Sequence, residues 1–351
     1  MRLFSPRSRH LVGVDICATS IKIVSIERQH GTFYLKTYGI EPLAPGAVID
    51  KTIVDIEAVS MAIARLAKRC QVNGLDAVTA VSGSSVITKI IDMNLLLTDV
   101  EREAQIRLDA EQYIPYPLEE VNLDFEVLGP SLLHENLVQV LLAASRSENV
   151  ELQVDALTLA GLKTKIVDIE SHAIERAFGL MVDNLSNLPE LVALVDIGHH
   201  QTTLYVAKEG KFVYSREQLF GGLQLTEAIQ NRYGLSFEEA TINKLEHTLP
   251  DDYYPEILIP FMESAIQQIT RALQFYFSSS TYNSVDHLVL AGGSGAIPGF
   301  AGMVQQKLGM PVTVANPFIN MTINPYINNE QLTIDAPSLM AACGLALRSF
   351  D

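Results

Sequence analysis

The chain has 351 residues, 48% of them apolar, with 41 acidic and 25 basic side chains and a formal charge of −16. That length suggests about two domains, and a charge of this sign argues against nucleic acid, whose phosphates need clustered Lys and Arg. The three cysteines, Cys17, Cys70 and Cys343, lack metal or redox spacing and fit a reducing cytoplasm, and no apolar run reaches the roughly 18 residues of a membrane span. Arg2, Arg7 and Arg9 precede no signal-peptide core and read as a solvated tail, with a weak pull toward anionic lipid as the lesser alternative.

In chain order, Leu11–Ile26 reads LVGVDICATSIKIVSI: an apolar strand ending in Asp15, a short polar turn with Thr19 and Ser20, then a second strand that carries Lys22. Gly31–Ile40 continues as a strand. Apolar positions Ile56, Val59, Ile63, Leu66 and Cys70 predict a helix that stops before Gly74, and Ala77–Val81 is a short buried strand.

Residues 85–165 read as a separate unit: strand, helix, two strands, helix, strand. Thr98-Asp-Val-Glu101 is a capping box, and the helix it opens stops at Tyr113-Ile-Pro-Tyr-Pro117. No catalytic constellation lies here. The Tyr/Pro corner and the acidic pair Glu119 and Glu120 read either as a protein-docking surface or as packing alone. Ile169–Leu180 and Ser338–Leu347 are predicted helices with small-residue faces (Ala173, Ala177, Gly179; Ala341, Ala342, Gly344, Ala346), suited to a close crossing that would act as a hinge between domains. Glu170 opens the first of them, where a carboxylate also suits a helix N-terminus.

Leu194–Val206, LVDIGHHQTTLYV, repeats the design of the first hairpin 181 residues later. Asp196 stands where Asp15 does, and Thr202 and Thr203 match Thr19 and Ser20. Two unrelated hairpins are the plain alternative; a pair at half-chain spacing points instead to two related domains. Turns of this kind offer backbone N–H groups to an anion, and an Asp at the strand end can hold a hydrated Mg²⁺. His199 and His200, if on a strand, would face opposite ways and make poor joint metal ligands. Gly221-Gly222 leads into a helix, with Gly222 able to bring backbone near a phosphate. Ser236-Phe-Glu-Glu239 is a second capping box ahead of Lys244, and Phe261–Tyr282 is a long helix with a core stripe. The strand His287–Ala291 runs into Gly292-Gly-Ser-Gly295, a turn that suits a nucleotide. A dinucleotide fingerprint fails here, because Pro298 replaces its third Gly and no acid lies between Gly295 and Asn329. P-loop and hydrolase-elbow motifs are absent as well.

These stretches, in this order, resemble the actin-like ATPase superfamily, and the resemblance covers nearly the whole chain. It implies an α/β, actin-like (ribonuclease H-like) two-domain ATPase fold with an FtsA-type inserted subdomain. The first domain would be residues 10–84 with 166–190 and 338–351, the insert 85–165, and the second domain 191–337 with a helical part at 231–284. Within the superfamily, GVDICATSIKIV, DAEQYIPYPLEEVNLDF and VDIESHAIERA resemble the PilM family of type IV pilus assembly proteins. Cys17 stands where that family usually has Gly, and His199-His200 replaces smaller residues beside the expected γ-phosphate.

The resemblance implies ATP and Mg²⁺ as ligands, with Asp15 and Asp196 holding the metal through water. It places Thr19, Ser20 and Lys22 on the phosphates from one side, and Gly198, Gln201, Thr202 and Thr203 from the other. Gly221 and Gly222 would lie near phosphate or ribose, Lys244 near the adenosine, and Gly292, Gly293 and Ser294 beside the base. Glu170 would orient the attacking water of what is at most a slow ATPase. The implied partners are the cytoplasmic N-terminal peptide of PilN, held between the insert and the adjoining domain, other pilus inner-membrane proteins and pilus motor ATPases. The implied location is cytoplasmic, at the inner membrane through those partners. An FtsA-like division protein and a small-molecule kinase are the alternatives. The chain's end at Leu347–Asp351 lacks the basic amphipathic tail expected of the first, and no general base besides Glu170 serves the second.

Overall fold

A computed structural model describes residues 10–29, 31–131, 134–185, 189–246 and 248–351; the arginines at positions 2, 7 and 9 lie outside them. The chain packs as two compact units. Unit 1 takes residues up to Ile23 and then Gly39–His172; unit 2 takes Val24–Tyr38 and Ala173–Asp351.

Unit 1 begins with β1 (Leu11–Ile16) and the start of β2 (Ser20–Gln29), whose remainder groups with unit 2, as does most of β3 (Thr32–Pro42). The small ribbon β4 (Val48–Ile49) and β5 (Thr52–Ile53) precedes α1 (Ile56–Arg69). Asp55 caps α1 by accepting the Ala58 N–H at 2.9 Å, one of the N-terminal donors a helix cannot satisfy internally. The predicted stripe is realised: Val59, Ile63 and Leu66 are buried against Val12, Val14, Ile21 and Ile23 of the strands. Strand β6 (Asp76–Val81) runs parallel to β1.

The inserted part follows as β7 (Val86–Asn94), α2 (Asp99–Asp109), β8 (Val121–Pro130) and β9 (Leu137–Arg146). The three strands form an antiparallel sheet in the order β7-β9-β8. Ile106 of α2 closes its own small core with Met93, Val138, Val140 and Leu142. The Thr98/Glu101 capping box is present in both directions. The Tyr/Pro corner is partly spoken for, since the Arg146 guanidinium lies 4.4 Å over the Tyr116 ring.

Helix α3 (Ser147–Leu159) and β10 (Lys163–Ile169) lie within the 85–165 span, or run out of it, yet pack elsewhere. Ala156 and Leu157 of α3 belong to the core beneath α1, and β10 extends the β1/β6 sheet in parallel with β6. A period-3.6 pattern reports that a helix has a buried face and is silent on which neighbour covers it.

Helix α4 (Glu170–Val182) crosses into unit 2. Then come β11 (Leu191–Ile197), β12 (Thr202–Lys208), β13 (Lys211–Gln218), α5 (Gly222–Tyr233), α6 (Phe237–Glu246) and α7 (Ile259–Ser279). They are followed by β14 (His287–Ala291), α8 (Phe300–Leu308), β15 (Val312–Val314), β16 (Thr322–Ile323), α9 (Asn329–Asp335) and α10 (Met340–Ala346). The sheet order is β13-β12-β11-β14-β15, with β11 antiparallel to β12 and parallel to β14. Phe261, Ala265, Ile269, Ala272 and Tyr276 of α7 fill the core over this sheet, as their spacing predicts. β16 runs parallel to β3.

The two small-faced helices do meet. A Cβ on Gly344 of α10 would overlap the carbonyl group of Ala173 in α4, and Arg176 donates to the Gly344 carbonyl at 3.0 Å. Gly344 and the α4 residues from Ala173 onward all belong to unit 2, so this crossing lies inside one unit and not between two, where the hinge was expected.

Candidate functional site

In unit 1, β1 delivers Asp15 to the strand end with 8% of its surface exposed. Its Oδ2 accepts the Cys17 thiol at 3.1 Å and Lys22 Nζ at 3.3 Å, and Nζ also donates to Cys17 Sγ at 3.1 Å. Burial, then the Asp15 charge, push the Cys17 thiol up to about 12, so it stays protonated as a donor. The Cys17 N–H closes the turn on the Ser20 carbonyl, and the Thr19 carbonyl accepts from Leu43. Asp15, Cys17 and Lys22 are thus one charge-compensated cluster, with Lys22 directed at the carboxylate. Glu170, at the first position of α4, pairs with Lys51 at 2.5 Å. Lys51 is 119 positions away in sequence, and no sequence signal links the two.

In unit 2 three segments converge. The turn between β11 and β12 is tight, with Gly198 N–H donating to the Gln201 carbonyl at 3.0 Å. The start of α5 holds that turn: Gly222 N–H donates to the Gly198 carbonyl at 2.9 Å and Leu223 N–H to the His199 carbonyl at 2.8 Å. The turn after β14 holds its other side through Ser294 N–H on the Ile197 carbonyl at 3.2 Å. Gly292 has φ +79°, and a Cβ there would collide with the Asp196 carboxylate and the Ile197 carbonyl. Gly198, Gly221, Gly222, Gly292 and Ser294 therefore gather around the Asp196 strand end. The amides of Gly222 and Ser294 are spent on holding the turn.

Thr202 is buried, and its hydroxyl donates to the Phe220 carbonyl at 2.7 Å, tying β12 to the segment before α5. Thr203 is buried opposite Asp196 in the β11/β12 register. Gln201 Nε2 is different: it is buried and donates to no acceptor among the described residues. A buried, unspent amide donor is costly unless something accepts from it. Lys244 of α6 reaches Thr226 Oγ1 at 2.8 Å, and burial lowers its pKa.

His199 and His200 occupy the turn and not a strand, so they do not point to opposite faces. Their rings meet edge to face at 4.6 Å, and His199 also lies 6.2 Å from Phe237 on α6. Burial, then His200 and Lys244, pull His199 down to about 4, leaving it neutral near pH 7. The sequence flagged this pair as bulky; its packing onto α6 had no local signal.

The residues present fit a nucleotide and a hydrated Mg²⁺. Gln201 offers an unsatisfied donor, and the collision at Gly292 explains why only Gly lets that turn close on Asp196. Among the described residues no three His, Cys, Asp or Glu side chains gather as a metal cage.

A model of the family described as type IV pilus assembly protein PilM matches residues 13–350. Among solved structures, a chain of a PilM-PilN type IV pilus biogenesis complex is 27% identical, covering 97% of this chain and 99% of that one, with a TM-score of 0.79. The ethanolamine utilization protein EutJ from Carboxydothermus hydrogenoformans is 19% identical over 99% of this chain and 91% of its own, with a TM-score of 0.57, a likeness of fold alone. Among the described residues no helix is long and apolar enough to cross a membrane. With an α/β fold of the actin-like class and a family match that runs almost end to end, the chain belongs to the PilM family of type IV pilus assembly proteins.

Proposed function

We propose that the chain is a nucleotide-loaded clamp for the cytoplasmic N-terminus of PilN in the pilus assembly apparatus. The observation that carries this reading is the likeness, over nearly the full length of both chains, to a PilM solved with PilN. A cleft in unit 1 supports it. Lys51, Thr52, Ile53, Val81, Ser82, Asn149 and Leu152 are among the residues that line this narrow cleft beside α3. Polar Lys51, Ser82 and Asn149 beside apolar Ile53, Val81 and Leu152 would meet an extended peptide whose main chain supplies affinity and whose side chains supply specificity.

Mg·ATP would be held through the two acid-bearing hairpins. Asp15, Thr19, Ser20 and Lys22 would contribute from unit 1. Asp196, Gly198, Gln201, Thr202, Thr203, Gly221, Gly222, Lys244, Gly292, Gly293 and Ser294 would contribute from unit 2. Bound nucleotide supplies a charged ligand that favours one conformation over another, and Glu170 is the residue that would orient a water for slow hydrolysis. Location at the inner membrane, through PilN, follows from the same reading, as would contacts with other pilus proteins and motor ATPases.

The test is titration of a peptide from the start of PilN into the full chain. One-to-one binding, weakened by Leu152→Glu in the cleft, is the expected result. No binding, or binding indifferent to that substitution, overturns the clamp. Rapid ATP-dependent phosphorylation of a small molecule would favour the kinase instead.

A further inference from the structure

Helix α2 carries two rows of side chains back to back. Arg102 and Ile106 face inward and are buried; Val100, Ala104 and Leu108 face solvent. Val100 is 78% exposed and Leu108 83%, and Leu96, in the turn that leads into the helix, is 86% exposed. The spacing of four from Val100 through Ala104 to Leu108 draws one stripe along the helix, about 12 Å long at the usual rise, with Leu96 ahead of the N-cap. Single exposed apolar residues are ordinary, whereas Val100, Ala104 and Leu108 in register on one face of a largely charged helix, with exposed Leu96 just ahead of it, are the pattern of a docking surface.

The flanks state what would cover it. Asp99, Glu101 and Glu103 are exposed beside the stripe; the buried Arg102 pairs with Asp99 at 2.9 Å and Arg107 with Glu103 at 3.0 Å, so exposed acids outnumber the one exposed base, Arg107. The helix therefore presents an apolar row with acidic edges, on a chain whose formal charge is −16. A second copy would bring an equal negative charge to the contact, and an anionic bilayer would repel it likewise. We infer that the outer face of α2 docks an amphipathic helix of another protein, three to four turns long, with an apolar stripe flanked by Lys and Arg. None of its residues belongs to the nucleotide hairpins or the peptide cleft, and its test does not depend on them.

The probe is a fluorescent helical peptide of about 14 residues with Leu at spacings of three and four and Lys elsewhere, beside a twin carrying Glu in place of Lys. Both are titrated by anisotropy into the full chain and into the Val100→Ser, Leu108→Ser double variant. Both substituted side chains are mostly exposed and leave the capping box and Ile106 untouched, so circular dichroism and melting should match the parent. The Lys peptide should bind with affinity reduced about tenfold or more in the variant, and the Glu twin should bind at least about tenfold more weakly to the parent. Equal affinity of the Lys peptide for parent and variant would reduce the effect to general attraction for an acidic protein and overturn the proposal. Sedimentation showing self-association of the parent that the variant abolishes would assign the face to a second copy and overturn it too.

Discussion

Gly292 packs directly onto the carboxylate of Asp196, so closely that a single added carbon would overlap both Asp196 Oδ1 and the Ile197 carbonyl. The two residues are aligned by the parallel register of β11 and β14, which sets Asp196 opposite Ala291, the residue before the glycine. Gly292 also has φ +79°, a region a side chain rarely adopts. Gly292→Ala should therefore destabilise the protein by roughly 2–4 kcal/mol, backbone strain and overpacking together, in chemical denaturation. A loss under about 0.5 kcal/mol, the range of a neutral surface change, would show that this turn is not held against Asp196.

Glu170 and Lys51 make a part-buried ion pair whose side chains are 19% and 27% exposed. Pairs of this exposure contribute about 1 kcal/mol or less, so Glu170→Gln should leave the melting temperature nearly unchanged. If Glu170 orients water, the same variant should lower ATP turnover by about a hundredfold while ATP binding stays within about twofold. Turnover equal to the parent's would leave Glu170 as a helix-terminal charge satisfied by Lys51.

His199 gives the fold a pH dependence of defined sign. Its pKa falls from the ordinary 6.5 to about 4 in the folded chain, chiefly by burial. Between those values the unfolded chain binds more protons at this position, so His199 contributes stability that is fully present above pH 6.5 and lost as pH falls toward 4. His199→Gln should flatten the decline in denaturation midpoint across that window relative to the parent. Parallel parent and variant profiles would mean that His199 titrates alike in both states.

The α4/α10 crossing leaves no room at Gly344. Gly344→Ala forces a carbon into the Ala173 carbonyl, and helices so close cannot yield without moving backbone. A loss of about 3 kcal/mol or more is expected in thermal or urea unfolding, at the upper end for overpacking. A variant as stable as the parent would contradict the packing.

Local rules were legible in the sequence wherever the cause is local. The Thr98/Glu101 and Ser236/Glu239 capping contacts, the continuous apolar run of β11, and the α7 stripe each depend on residues a few positions apart. The hairpin turn and the Gly-rich turn after β14 were legible too, because the collision at Gly292 leaves a mark in composition. What long-range packing decides was not legible. Lys51 reaches Glu170 across 119 positions, Ala156 and Leu157 of α3 join the core beneath α1, and His199 settles against Phe237. The helical period says that α4 and α10 each have a small face, and only tertiary structure puts their crossing inside one unit. Of the donors that the resemblance assigns to phosphate, Gln201 keeps a buried amide with no acceptor among the described residues, whereas Gly222 spends its N–H and Thr202 its hydroxyl on holding the turn.

The central claim is that two acid-bearing hairpins, one from each half of the chain, serve one Mg·ATP. Isothermal titration of ATP with Mg²⁺ into the full chain, Asp15→Ala and Asp196→Ala measures it most directly. One site is predicted in the parent, with affinity reduced at least about tenfold in each variant when Mg²⁺ is present, as loss of a group that holds a bound cation implies. Affinity unchanged in either variant, with the fold intact, would contradict the account.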